Sequence, residues 1–176
     1  MISSSPLLSS DCEMVGNQAE FGGGAIFLAD EATSAWSRLN CSNNTAVTDN
    51  GGCFSVNDRA NVLILDSIVE GNSAYGGGGL SLEDSCLATL NRCRITKNQA
   101  SSGGGVFVQN LSIYNDTGSS IVQNSASKEG GGIFANGKQL ALETVLVHQN
   151  RASYGGGLAI AYDSESNNWS NQCTFR

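Results

Sequence analysis

Histidine and proline each occur once in this 176-residue chain, as His148 and Pro6. A lone histidine offers no metal-ligand set, and spacing gives it no cysteine or serine partner for nucleophilic catalysis. It is read as a solvated surface side chain. Basic residues are few: nine Lys and Arg against sixteen Asp and Glu, for a formal net charge of -7. That balance argues against nucleic acid or an anionic membrane surface as partner. Only 14% of residues are charged, below the usual quarter. No apolar run approaches the roughly 20 residues of a membrane-spanning helix, so no direct membrane insertion is expected. Residues 1–10 contain no basic residue and only two adjacent leucines, which excludes a secretory signal there. If the protein is exported, its signal lies outside this chain.

No CxxC pair occurs among Cys12, Cys41, Cys53, Cys86, Cys93 and Cys173, so zinc is a poor reading. An even count would suit disulfides in a secreted protein. The favoured reading is that most are small buried core residues. The phosphate-loop phrase ending in Gly-Lys-Ser/Thr is missing, as is the calcium-binding nonapeptide with Asp at its required offset. No cofactor or metal is expected.

What the chain has is glycine, 22 residues, and 40% hydrophobic residues, too many for a disordered segment. Both fall into a repeat: Asn, any residue, Ala, a short spacer, a glycine run, then apolar residues. The asparagines are Asn17, Asn44, Asn72, Asn98, Asn124 and Asn150, at steps of 27, 28, 26, 26 and 26. A period in the twenties without helical patterning points to a solenoid. Asn, Asp and Gly clusters divide each repeat into three apolar segments, as turns require. Three short strands per 26–28 residues make one coil of a right-handed parallel β-helix. About six coils are expected, with repeats over residues 12–162. Residues 1–176 are read as one β-helix domain, a fragment of a longer solenoid. The tail after Asp163 looks like the start of another coil, and no amphipathic helix stands at either end to cover it.

Alternation along a strand assigns the faces. Met14, Cys41, Val69, Ile95, Ile121 and Val147, three residues before each Asn, should point inward. So should Cys12, Leu39, Ser67, Cys93, Ser119 and Val145, five before. After the glycines, Ala25, Cys53, Leu80, Val106, Ile133 and Leu158 are assigned inward, with Phe27, Ser55, Leu82, Val108, Ala135 and Ile160 two residues on. Between these two columns stand Ile26, Phe54, Ser81, Phe107, Phe134 and Ala159. In this register they face outward. Ile26, Phe54, Phe107 and Phe134 then form a candidate interaction stripe for a partner protein or a sugar ring. A one-residue slip would instead place them in the core, and core or covered placement is favoured. Asp11, Arg38, Asp66 and Arg92, six before the Asn, read as an outward ladder of alternating charge. Residues 115–118, Asn-Asp-Thr-Gly, read as an inserted turn. The Asn column is read as stacked amides bonding along the axis, with left-handed backbone at a tight bend.

These repeats resemble the polymorphic outer membrane proteins of chlamydial type, a family marked by GGA[I/L/V] and FxxN motifs. Gly23-Gly24-Ala25-Ile26 matches the first motif literally, and the other copies keep Gly-Gly and an apolar residue. The second survives as apolar-x-x-Asn, as in Ile95-Thr96-Lys97-Asn98, without Phe. The resemblance implies a β-helical passenger at a cell surface and an adhesive role. The family's membrane barrel has no counterpart here.

The expected function is a structural or adhesive segment of a larger extracellular or cell-surface protein, a rigid spacer or interaction surface. Its partners would be another protein, further coils at its ends, or carbohydrate. The alternative is a polysaccharide-active β-helix enzyme or its inactive remnant. Such chemistry needs clustered carboxylates, and Glu83, Asp84, Asp58, Glu129 and Asp163 fall on turns of different coils. A non-catalytic role is favoured. Sequons at Asn40, Asn43, Asn110, Asn115 and Asn168 are candidate N-glycosylation sites in a secretory protein, with Asn110 and Asn115 expected to be the most accessible.

Overall fold

In the computed structural model, which describes residues 6–161, the chain is an all-β solenoid with every strand pairing parallel. Each of six coils contributes one strand to each of three six-stranded sheets. The leading sheet holds Leu7–Ser10, Thr33–Ser37, Asn61–Leu65, Leu87–Asn91, Ile113–Thr117 and Gln139–Glu143. The middle sheet holds Glu13–Val15, Asn40–Ser42, Ile68–Glu70, Arg94–Thr96, Ser120–Val122 and Leu146–His148. The trailing sheet, after the glycines, holds Ile26–Leu28, Phe54–Val56, Leu80–Leu82, Val106–Gln109, Ile133–Asn136 and Leu158–Ile160. The Asn-to-glycine corner adds shorter ladders, Gln18–Ala19 on Thr45–Ala46 and Gln99–Ser102 on Ser125–Glu129. Backbone groups are thus satisfied between coils, which spares a buried backbone the loss of its hydrogen bonds.

Bends between strands use left-handed backbone at fixed positions. Asp11, Arg38, Asp66, Arg92, Gly118 and Thr144 all have φ between 49° and 69°. A second bend falls on the residue before each ladder Asn: Gly16, Asn43, Gly71, Lys97, Gln123 and Gln149. The ladder asparagines themselves are not left-handed, which corrects that part of the sequence reading. Their role is hydrogen bonding, and the strain sits one residue earlier.

The glycine corner explains its own composition. Aligned by positive φ, its first position is Gly23, Gly51, Gly77, Gly103, Gly130 and Gly155. The second is Gly24, Gly52, Gly78, Gly104, Gly131 and Gly156. A Cβ on Gly52, Gly78, Gly104 or Gly131 would come within 3.0 Å of the next coil's backbone. The third is Ala25, Cys53, Gly79, Gly105, Gly132 and Gly157, joined in file by bonds such as Ala25 N–H to Cys53 O and Cys53 N–H to Gly79 O. So the first serves the turn and the second lets coils stack. The third tolerates small side chains in coils one and two.

This alignment corrects the register after the glycines. Ile26, Phe54, Leu80, Val106, Ile133 and Leu158 are paired in one column. Ala25 and Cys53 stand at the third corner position, one residue before the strand start that the spacing assigns them. Ile26 and Phe54 therefore belong to the core, where Phe54 is 0% exposed and meets Trp36 edge-on at 6.1 Å. Ser55 and exposed Phe27 move to the outward column. The two columns before the Asn fill the core as expected, with Leu39, Cys41, Val69, Cys93, Ile95 and Ile121 buried.

Residues 115–117 form no inserted turn. They continue the strand Ile113–Thr117, and Tyr114 and Asp116 point inward. The bends lie on either side of the strand, at left-handed Asn110 and Leu111 before it and at Gly118 after it.

Cys41 and Cys53 form a disulfide across 12 residues, with Cα atoms 6.1 Å apart, so these two are paired core residues while Cys86 and Cys93 keep the buried free thiols expected of most. Their meeting follows from the corner: a Cβ on Gly79 would lie 3.0 Å from the Val69 methyl one coil on, and Val69 is the strand partner of Cys41. The bond ties down a corner two residues longer, from Asn44 to Gly51, than that from Asn72 to Gly77. Cys86 and Cys93 are free and buried, and burial pushes both thiols up to about 11. Cys12 is free and half-buried; Cys173 and the tail after Asp163 lie outside the described residues.

Replacing the pair by coil three's residues, Cys41→Val with Cys53→Gly, should preserve the fold and cost about 2–4 kcal/mol. Urea unfolding with and without reductant checks this. The wild type should lose stability in reductant, and the variant should not respond.

Candidate functional site

The asparagine column runs along one edge of the solenoid. Each Oδ1 from Asn44 to Asn150 accepts two bonds from the Asn one coil earlier, one from its backbone N–H and one from Nδ2, at 2.8–3.1 Å. The second Nδ2 hydrogen goes to a backbone carbonyl of the preceding coil: Asn44 to Met14, Asn72 to Cys41, Asn98 to Val69, Asn124 to Ile95 and Asn150 to Ile121. An amide has two donors and two acceptor lone pairs. Asn44, Asn72, Asn98 and Asn124 use all four while fully buried. Asn17 is exposed and Asn150 half-buried. The ladder carries no reactive group; it locks coil to coil.

The outward column of the trailing sheet is Phe27, Ser55, Ser81, Phe107, Phe134 and Ala159. Of the four proposed stripe residues, only Phe107 and Phe134 lie there. Their rings stack at 5.2 Å with 15° between planes. Phe134 is 8% exposed and Phe107 half-buried. The adjoining glycine corner supplies Phe21, Tyr75 and Tyr154, all exposed. Lys128 Nζ lies 5.9 Å from the Tyr75 ring centroid. A Cβ on Gly76 would meet Phe107 at 3.4 Å, so the corner and the aromatic stack are one continuous surface. Among the described residues, Trp36, Phe54 and Tyr114 are in the core; all other aromatics lie on this face and corner. The sequence reading found the stack but missed the corner aromatics, which stand in the variable spacer between Asn and glycine.

Glu83 sits on the same face. Its Oε1 accepts from Asn50 Nδ2 at 2.6 Å and Ser81 Oγ at 2.9 Å, and its Oε2 from Gln109 Nε2 at 2.6 Å. Three donors hold it as an anchored carboxylate. The other acidic candidates are not gathered around it. Asp58 and Asp84 are exposed at left-handed bends, where Asp84 accepts from Asn110 Nδ2 at 3.0 Å. Glu129 pairs with Tyr154 in the corner. Asp163 lies outside the described residues. No three acidic, His or Cys side chains converge among the described residues. His148 is exposed on the outer face of the middle sheet. A shallow groove on the leading sheet is lined by Leu8, Ser10, Ala35, Trp36, Ser37 and Leu65.

The charge ladder forms two forked ion pairs rather than one continuous file. Arg38 binds both Asp11 oxygens, and Arg92 both Asp66 oxygens at 2.7 and 2.9 Å. These hydrogen bonds hold the Asp11 and Asp66 carboxyls below their usual range. Glu70 pairs with Lys97 at 2.7 Å and Glu31 with Arg59 at 2.9 Å. Apart from half-buried Glu70 all are exposed, and the pairs fix register more than stability. Of the sequons, Asn43 and Asn110 are exposed at bends. Asn40 and Asn115 are half-buried within strands, and Asn115 Oδ1 accepts from Gln139 at 3.2 Å, so Asn115 is less accessible than its sequence suggested. Asn168 lies outside the described residues.

Asn98→Ala should cost about 3–5 kcal/mol, because it strands the Asn72 amides and the Val69 carbonyl in the interior. Asn17→Ala, at the exposed end, should cost less than about 1 kcal/mol. Urea midpoints of the two variants check the contrast.

No protein-family model, curated protein or solved structure matches this chain.

Proposed function

We propose that this chain is a rigid β-helical segment of a larger extracellular or cell-surface protein, and that it engages partners through the trailing-sheet face and glycine corner. The observation that carries the reading is the segregation of surface aromatics: Phe21, Phe27, Tyr75, Phe107, Phe134 and Tyr154 gather on one side of a hydrogen-bonded rod. Aromatic side chains dominate contact energies and are enriched where proteins meet partners. Their support is stiff, since each coil is fastened to the next by buried amides. The Cys41–Cys53 disulfide supports an oxidising, extracytoplasmic setting. The Gly-Gly-apolar and apolar-x-x-Asn motifs, similar to those of polymorphic outer membrane proteins, support the cell-surface setting. The anchored state of Glu83 and the dispersal of the other acidic residues favour binding over sugar chemistry.

The test uses Phe27, Tyr75 and Tyr154, which are 56%, 60% and 72% exposed and can be changed without opening the core. Wild type and the Phe27→Ser, Tyr75→Ser, Tyr154→Ser variant are compared on immobilised extracellular-matrix proteins and polysaccharides, and on polyuronate with Ca²⁺ for turnover. The variant should unfold at the wild-type urea concentration and bind its target at least about tenfold more weakly. Turnover of polyuronate by the wild type, or undiminished binding by the variant, contradicts the reading.

A further inference from the structure

Coil five places a carboxyl where its neighbours place leucine. Asp116 is paired in register with Leu90 below and Leu142 above, and it is 2% exposed. Its Oδ2 accepts the Tyr114 hydroxyl at 2.8 Å. Its Oδ1 is buried without a hydrogen-bond partner. Tyr114 is itself fully buried. The other titratable group near the carboxyl is Cys93 on the coil below, buried and protonated across the neutral range. No cation is paired with the carboxyl among the described residues. Arg92, under the bend at Gly118, is exposed and bound to Asp66, and Glu143 on coil six is exposed beside Thr117. An ionised carboxylate in such a site is left unpaired in an apolar column, whereas the neutral acid is tolerated.

We propose that coil five is a proton-operated weak point of the solenoid, closed when Asp116 is protonated and opening locally when it ionises. Burial pushes the Asp116 carboxyl up to about 6, against the pull of the Ser119 and Tyr114 hydroxyls and the Thr117 backbone N–H, of which only the Tyr114 hydroxyl reaches hydrogen-bond distance. A folded-state value above the unfolded one gives stability that is complete in acid and is lost as pH rises through about 6. The ion-paired carboxylates Asp11, Asp66 and Glu70 act oppositely, and only in more acid solution, because their values are lowered. The window from pH 5 to 8 therefore isolates Asp116 from them. In a solenoid each coil is held mainly by its neighbours, so the loss is local to coil five and its contacts. The strand Ile113–Thr117 lies between the left-handed bends at Asn110–Leu111 and Gly118, which bound the segment that opens. The Phe107–Phe134 stack joins coil four to coil five, so opening also disturbs the aromatic face.

The experiment is hydrogen exchange on the whole chain, with protection factors corrected for intrinsic rate, at pH 5 and pH 8. Protection of residues 110–123 should fall about tenfold between the two, while residues 61–83 keep theirs. Asp116→Asn, and Asp116→Leu after the neighbouring coils, should abolish the fall and raise protection at pH 8. His148→Gln should retain it, which separates Asp116 from the histidine on coil six. Equal protection of wild-type residues 110–123 at both pH values overturns the proposal. So does a fall that persists in a folded Asp116 variant.

Discussion

The hydrogen bond from one coil to the next, made between residues 26 to 28 apart in sequence, is the interaction on which this molecule depends. Its sheets are parallel and its strands two to five residues long, so no coil could bury its backbone alone. The asparagine column extends this bonding to a corner where the chain leaves one sheet and heads for the next. There a backbone ladder would be interrupted, and the side-chain amide substitutes for a peptide group. It supplies two donors to the neighbouring coils and one doubly used acceptor. That is why Asn recurs where Gln, too long, or Asp, lacking the donors, would not serve.

Close stacking has its counterpart at the glycine corner. Gly78 and Gly104 stand so near the following coil that a methyl group would meet backbone. At the third corner position a Cβ on Gly79, Gly105 or Gly132 would meet the next coil's carbonyl at 2.6–2.8 Å, yet coils one and two carry a side chain there. Ala25 fills it in coil one, and Cys53 reaches from it to Cys41 in coil two. Those side chains disguise the strand register. A non-glycine residue after Gly-Gly looks like the first strand residue, and only the inter-coil pairing shows that Ala25 and Cys53 are still in the corner.

The period and the spacing of apolar residues made the fold and two core columns legible, because both follow from strand alternation and repetition. What stayed hidden depends on which residues meet across coils. Asp116 followed Asn and preceded Thr-Gly, a sequence with every mark of a turn, yet it continues a strand because its bend had already been made at Asn110 and Leu111. Tyr75 and Tyr154 carry no periodic signal because they stand in a spacer of variable length. Phe107 and Phe134 were placed side by side correctly, but how far the corner covers them could not be read from alternation. Period and alternation carry no functional assignment, since a solenoid places its chemistry on surface columns and the fold itself hosts many activities.

The central claim is that the asparagine column fastens the coils as firmly as the sheets do. It is tested most directly by exchange of the backbone amides of Asn44, Asn72 and Asn98, each of which donates to the next asparagine's Oδ1. If the claim holds, these corner amides exchange as slowly as Val69 and Ile95 in the middle sheet, and only on global opening. Exchange at the rate of an exposed turn such as Asp84 would contradict it.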